Sequence, residues 1–280
     1  MREEMPMKHE ASICVTPRLS EQQRREIEAL GRACRAWEPV TQEPFLDEKE
    51  NADPSLPCFY IYYENSYPVS FLSLFVPDGS FAEITGFTLP GYRKKGHFSE
   101  LLACVKEEWK ERNPEFYLVS DGKSPDAKAM LLHMDLKPDY SERMMAASLG
   151  ELANLKVGPQ EKEDERGTET WEKGLEIRVI SEGDEYRLRQ GDREVGHCRL
   201  VCFAGSGTLY LYGFEIEESM RRQGFGRRFL KLLAAEQANR AHTMLLQVSS
   251  RNEAACALYE ACGFRITEQL DYYNISDRMR

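Results

Sequence analysis

Arg93, Gly96 and Ala127 return 128 positions later as Arg221, Gly224 and Ala255, while Gly86 returns after 127 as Gly213. A register held from Gly86 to Ala127 means that one order of elements is written twice. The step from 127 to 128 puts a one-residue length difference just before the turn at Arg221. Two copies are too few for a solenoid, which needs at least about three. The chain is therefore expected to fold as two lobes of one class.

Hydrophobic periodicity gives that class. In the first copy LSEQQRREIEALGRACRAWE sets Ser20 and Gln23 at capping-box spacing and puts Ile27, Leu30, Cys34 and Trp37 on one helical face. Three strands follow in residues 59–90, with turns at 64–68 and 77–80. A helix then places Phe98, Leu101, Leu102, Val105 and Trp109 on one face. EFYLVS reads as a strand, SPDAKAMLLHMDL as a helix, and a strand near YSERMMAASL closes the lobe. The second copy repeats this: strands in LEIRVI, EYRLRQ, VGHCRLVCFA and TLYLYGFEI, a helix from Gly226 to Asn239, the strand TMLLQVSS, the helix NEAACALYEACGF and a last strand ITEQLDYYNI. Between them, 156–175 is charged and poor in aliphatic side chains, as an exposed linker is. The expectation is an α+β fold in αβα layers: a lobe over 1–155, the linker 156–175, and a lobe over 176–280, each a mixed, mostly antiparallel sheet flanked by helices.

Charge narrows the partners. With 37 Lys and Arg against 47 Asp and Glu, the net charge is -10. Nucleic acid and anionic membrane surfaces both reward a basic face, so neither is expected as a partner. No apolar run approaches the roughly 20 residues that span a bilayer, and MREEMPMKHEASICV has no signal-peptide core. A cytoplasmic protein is expected. The eight cysteines form no C-x-x-C pair and sit mostly in apolar segments, as reduced, buried thiols do. Five scattered histidines give no metal-ligand spacing, so no metal is expected.

One stretch cuts across the acidic balance. MRRQGFGRRFLK, residues 220–231, gathers Arg221, Arg222, Arg227, Arg228 and Lys231 around Gly224 and Gly226 at a helix start, where the helix dipole already repels cations. Glycines let backbone approach a ligand, first-turn amides face an anion, and arginines add charge-assisted donors. A phosphate or pyrophosphate turns this cluster from a liability into a site. The Walker pattern is absent, and G-F-G-R-R-F lacks the third glycine of the dinucleotide fingerprint. A solvated basic helix start is the plainer reading of the same residues.

Two motifs at their proper separation resemble the GNAT acetyltransferase superfamily. Its signature [RQ]-x-x-G-x-[GA] is matched by Arg221, Gly224 and Gly226. Its N-x-x-A-x-x-L-Y-x-x-x-G-F string is matched by Asn252, Ala255, Leu258, Tyr259, Gly263 and Phe264. The tandem arrangement is similar to that of mycothiol synthase. The resemblance implies acetyl-CoA as cosubstrate. It implies a cofactor site made of Glu215, Ile216, Arg221, Arg222, Gln223, Gly224, Phe225, Gly226, Arg227, Asn252 and Tyr259, with the amides of 222–227 on the pyrophosphate and main-chain groups near Glu215 and Ile216 on the pantetheine arm. It further implies direct attack by an amine, with Tyr259 as the acid for the leaving thiolate; from periodicity alone, Tyr259 shares a helical face with Ala255, Leu258 and Cys262 and reads as a core residue.

The early fourth-strand base of several relatives is Tyr210 here. A tyrosine with a pKa near 10 is a poor base, which leaves Glu215, Glu217 or a water relay as candidates. The first lobe has Glu83 at the base position, but Phe98 in place of Gly226 and Leu131 in place of Tyr259. It is expected to be a degenerate copy. The function expected is acetyl transfer to a primary amine of a small molecule or peptide by the C-terminal lobe. The alternatives are a CoA-binding sensor, or another acyl or aminoacyl transferase on the tandem scaffold. A monomer is compatible, because two lobes can form a pseudo-dimer.

Overall fold

The computed structural model describes residues 10–112, 114–156, 162–163, 169–170, 177–203 and 205–280. The chain opens with strand β1 (Ala11–Thr16), which the periodicity missed, and helix α1 (Glu21–Trp37). The Ser20 hydroxyl accepts from Gln23 N–H and the Gln23 side chain accepts from Ser20 N–H, so the capping box forms as read. Ile27, Leu30 and Cys34 are buried, but Trp37, expected on the same face, is 70% exposed at the last turn. There the helix has run past the sheet.

β2 (Phe59–Glu64) and β3 (Tyr67–Phe75) are joined by Asn65 and Ser66, both at positive φ, as a two-residue hairpin with right-handed strand twist requires. β4 (Phe81–Thr88), α2 (His97–Trp109), β5 (Glu115–Ser120) and α3 (Pro125–His133) follow. Of the apolar face read for α2, Leu101, Val105 and Trp109 are buried; Phe98 and Leu102 are half-buried.

Beyond them come β6 (Tyr140–Ser148), α4 (Leu149–Ala153) and a two-residue ladder of β7 (Lys162–Glu163) with β8 (Glu169–Thr170). Most of the stretch read as a linker lies outside the described residues. The order closes with β9 (Ile177–Glu182), β10 (Glu185–Gln190), β11 (Arg193–Phe203), β12 (Thr208–Ile216), α5 (Phe225–Gln237), β13 (Thr243–Ser249), α6 (Glu253–Ala261), β14 (Arg265–Asn274) and α7 (Ser276–Met279). α5 starts one residue before the expected Gly226 and ends at Gln237.

Two compact units result: Met1–Tyr140 with Leu270–Arg280, and Ser141–Gln269. These bounds differ from the expected 1–155 and 176–280. In the first unit β1, β2, β3, β4, β5 and the end of β14 lie side by side, antiparallel except for β4 with β5. In the second the order is β6, β13, β12, β11, β10, β9, antiparallel except for β12 with β13.

The strand read as closing the first lobe, β6, thus pairs with β13 from Ser148 opposite Thr243 to Glu142 opposite Ser249. The end of the strand read as closing the second lobe pairs Asp271 to Asn274 with β5. Local pattern specifies a strand but not its neighbour. Burial decides that: Met145 and Ala147 enter the core of the second unit, and Tyr273, Ile275 and Met279 that of the first. Each fully buried Leu, Ile, Phe or Met side chain in these cores contributes about 1.5–3 kcal/mol, enough to outbid any local preference.

Candidate active site

The repeat holds in coordinates. α2 and α5 have 13 residues each and start 128 positions apart, and α3 and α6 have nine each at the same offset. Before α2 and α5 stand single 3₁₀ turns at Pro90–Tyr92 and Glu218–Met220. Lys94 and Arg222 both take positive φ (62° and 59°), as do Gly96 and Gly224 (92° and 84°). The signature arginine has one structural job in both copies: Arg93 Nε donates to Thr88 O at 3.0 Å, and Arg221 Nε to Ile216 O at 2.8 Å. It fastens the turn to the end of the preceding strand.

The one-residue difference is a β-bulge. In β3–β4 the register runs without interruption from Ser70 opposite Thr88 to Phe75 opposite Glu83. In β11–β12 it shifts between His197, opposite Glu215, and Arg199, opposite Tyr212, so Gly213 and Phe214 face Cys198 alone. Gly213 takes φ +59°, which a glycine adopts without strain. Beyond the bulge β12 also loses its other neighbour. Its ladder with β13 covers only Thr208–Leu211, although both strands run on to Ile216 and Ser249. Past Leu211 this edge of β12 carries strand backbone without a ladder partner among the described residues.

The turn itself suits an anion. Arg228 N–H to Gly224 O is the first bond of α5, and the amides upstream lie in a first turn, which has no intrahelical acceptors. Nothing lies within 4 Å of where a Cβ on Gly224 would sit. Arg221, Arg222, Gln223 and Gly224 are exposed, and Arg227 keeps a buried Nε with no hydrogen-bond partner among the described residues. Arg221 also pairs with Glu215 at 3.4 Å.

Two residues of the basic motif do other work. Arg228 is 1% exposed, and Phe225 is buried in the core of the second unit. Gly226 is a packing glycine, since a Cβ there would lie 2.9 Å from Leu258 Cδ2.

The other sequence-derived residues fall around this turn. Tyr259 is 6% exposed, edge-on to Phe214 and Phe264, with ring centroids 6.2 and 5.5 Å away. Burial pushes its phenol above the ordinary tyrosine range, with the neighbouring thiols Cys198, Cys256 and Cys262 adding to the rise. Asn252 is the N-cap of α6, its side chain accepting from Ala255 N–H at 3.1 Å. Glu215 is mostly exposed; besides Arg221 it faces His197 Nε2 at 4.0 Å, a neighbour the sequence reading did not single out. Tyr210, half-buried on β12 between Val201 and Leu245, has its ring 6.3 Å from that of Tyr212.

Residues 193–273, from β11 into β14, match the family described as FR47-like protein. No curated protein sequence matches the chain. Among solved structures, a GCN5-related N-acetyltransferase from Sphaerobacter thermophilus superposes with a TM-score of 0.61 at 14% identity over 96% of both chains. The fold is GNAT. A tandem GNAT protein from the clavulanic acid biosynthesis pathway gives 0.56 at 13% identity, covering 95% of this chain and 98% of that one. A GCN5-related glucosamine N-acetyltransferase region in a fungal multi-domain GH3 β-N-acetylglucosaminidase gives 0.62 at 11%, covering 95% of this chain and 38% of that one. Among the described residues no group of three or more His, Cys, Asp or Glu could hold a metal, and no helix is long and apolar enough to cross a membrane. None of the eight cysteines is in a disulfide.

The GNAT fold also brings together residues the sequence reading passed over. A cavity of about 620 Å³ lies in the N-terminal unit, lined from Glu38, the end of β4, the α2 start and α3. Its Arg93 pairs with Glu38 at 2.6 Å and with Asp126 at 3.1 Å, and Lys94 reaches Asp126 at 3.1 Å. The repeat carried a signal for this: at offset 128 from Asp126 stands Ala254.

Proposed function

We propose that the chain is an acetyl-CoA-dependent N-acetyltransferase whose C-terminal unit moves an acetyl group to a primary amine of a small molecule or peptide by direct attack. The observation that carries this reading is the bulged, unladdered end of β12 running into an open, positive-φ turn at the start of α5. When bound, acetyl-CoA supplies the thioester. The amides of 222–227 would hold its pyrophosphate, helped by the side chains of Arg221, Arg222 and Gln223, and main-chain groups at Glu215 and Ile216 would face the pantetheine arm. Asn252 positions Tyr259 by capping the helix that carries it.

Tyr259 fits the part of proton donor to the leaving thiolate, because burial keeps its phenol protonated at neutral pH. Glu215 and Tyr210 are the residues on β12 placed to receive the proton of the attacking amine. Glu215 is the better of the two, because it is a carboxylate and not a phenol. The negative net charge favours approach of cationic acceptors. A cytoplasmic setting, where thiols stay reduced, suits eight cysteines outside any disulfide.

Calorimetric titration with acetyl-CoA on wild type and on Gly224→Glu tests the reading. A carboxylate in the anion cradle is expected to abolish binding. No binding by wild type sinks the proposal, and tight binding without thiol release over a panel of amines turns it into that of a CoA sensor.

A further inference from the structure

The two turns share a backbone but differ in what meets their cations. In the C-terminal unit Glu215, mostly exposed near the end of β12, is the carboxylate that meets Arg221 among the described residues, and Ala254 stands on α6 where α3 has Asp126. In the N-terminal unit Glu38, just past α1, and Asp126, in the first turn of α3, converge on Arg93, whose side chain is 13% exposed. Burial disfavours the Arg93 cation, and the hydrogen bonds it donates to Glu38 and Asp126 outweigh it. Arg93, then Lys94, holds the Asp126 carboxyl below the usual carboxylate range. Arg93 and Lys94 thus already face carboxylates from within, while Lys95, the third cation of the turn, lies over the Tyr92 ring.

Next to this closed seat the cavity is roomy and apolar. About 620 Å³ is the size of a small-molecule site, and Ile84, Phe87, Phe98, Leu118, Val119 and Met130 make much of its wall. Phe98, at the place of Gly226, lays its ring on β4: a Cβ on Gly86 would be 2.5 Å from Phe98 Cε2. The remaining carboxylate of the wall, Asp121, is engaged by Thr41 N–H at 2.6 Å and Gln42 N–H at 3.2 Å. A charged ligand entering here would lose its hydration, and Arg93, Lys94 and the three carboxylates of the wall are already engaged, as is His97 with Glu64 at 2.9 Å, which leaves Tyr92 and His133 as the remaining titratable groups of the wall.

We propose that Glu38 and Asp126 act as a built-in counter-anion that closes the N-terminal turn to diphosphates, and that the adjoining cavity binds an uncharged, largely apolar small molecule. The first half rests on the reading that the C-terminal turn takes a diphosphate.

The test uses the full chain in a Gly224→Glu background, so that the C-terminal turn is silent, with inorganic diphosphate and the neutral dye N-phenyl-1-naphthylamine as probes. Gly224→Glu alone is expected not to bind diphosphate. Adding Glu38→Gln and Asp126→Asn is expected to tighten diphosphate binding at least tenfold, and Arg93→Ala to remove that gain. The dye is expected to brighten on Gly224→Glu, and Ala127→Trp, on the cavity wall, to cut the effect at least fivefold. Should the double change unfold the chain, Asp126→Asn alone, at a half-exposed position, gives the same comparison with a smaller gain.

Diphosphate binding that depends on Arg93 while Glu38 and Asp126 are intact overturns the proposal. So does a folded variant without gain, or a dye signal that is absent or indifferent to Ala127→Trp. Failure of wild type to bind acetyl-CoA strikes the proposed function instead and leaves both probe experiments readable.

Discussion

Gly224 and Gly226 stand two positions apart in one motif and are glycine for different reasons. Gly224 needs its left-handed backbone and has open space around it, whereas Gly226 has ordinary φ and Leu258 against it. Gly226→Ala is therefore expected to destabilise by about 1–3 kcal/mol through overpacking, with much of the loss recovered in a Leu258→Ala background. Gly224→Ala is expected to cost about 1–2 kcal/mol that Leu258→Ala does not recover. Denaturant unfolding of the single and double variants reads both.

Tyr259 carries two readings that one substitution separates. Tyr259→Phe keeps the ring between Phe214 and Phe264 but loses the proton. If the phenol is the acid, kcat falls on the order of 10²-fold with acetyl-CoA affinity within about twofold; if the ring is only core, neither moves. Because burial raises the phenol, the wild-type rate is not expected to fall by loss of that proton until above about pH 10.

At the scale of elements, both copies spend a polar side chain on the start of the helix that follows the fifth strand of the repeat. Asn252 accepts from Ala255 N–H and Ser124 from Ala127 N–H, each at 3.1 Å. Asn252→Ala is expected to cost about 0.5–2 kcal/mol, which thermal melts followed by circular dichroism would register. Its effect on turnover follows from α6 carrying Tyr259. The bulge in β12 belongs to the same scale: the sequence shows it as a repeat offset that changes by one, and the sheet shows where the extra residue goes. The basic motif was legible as exposed cations around a glycine turn, proposed above as an anion site, but the burial of Arg228 and Phe225 was not, since helical phase at a glycine-rich start is set by the core behind it.

At the scale of the molecule, the end of β14 makes the first unit depend on the last residues of the chain. Removing 270–280 is expected to speed hydrogen exchange at 117–120, which pair with Asp271–Asn274, while the Leu209–Leu211 ladder keeps its protection. Buried thiols give a second whole-chain response. Desolvation pushes Cys198 up to about 12 and Cys262 up to about 11, against roughly 8.5 for an unfolded thiol. Their contribution is intact below about pH 8.5 and is lost as pH rises through the folded values, because only the unfolded chain ionises in that window. Stability is expected to fall there by on the order of 1.4 kcal/mol per pH unit for each thiol, and replacing either by Ala flattens the slope of melting temperature against pH.

The sequence by itself determined the repeat, most of the strand and helix order of both copies though not β1, the capping box at Ser20 and the two motifs around Gly224 and Tyr259. All are local patterns, carried by spacing, caps and turn residues within a few positions of each other. Tertiary structure alone decided which strand lies beside β5 and which beside β13, that Trp37 stays in solvent, and that Glu38 and Asp126 meet on Arg93. Those outcomes depend on partners 33 to 157 positions away and on which apolar faces the cores could bury together, and no local pattern encodes that choice.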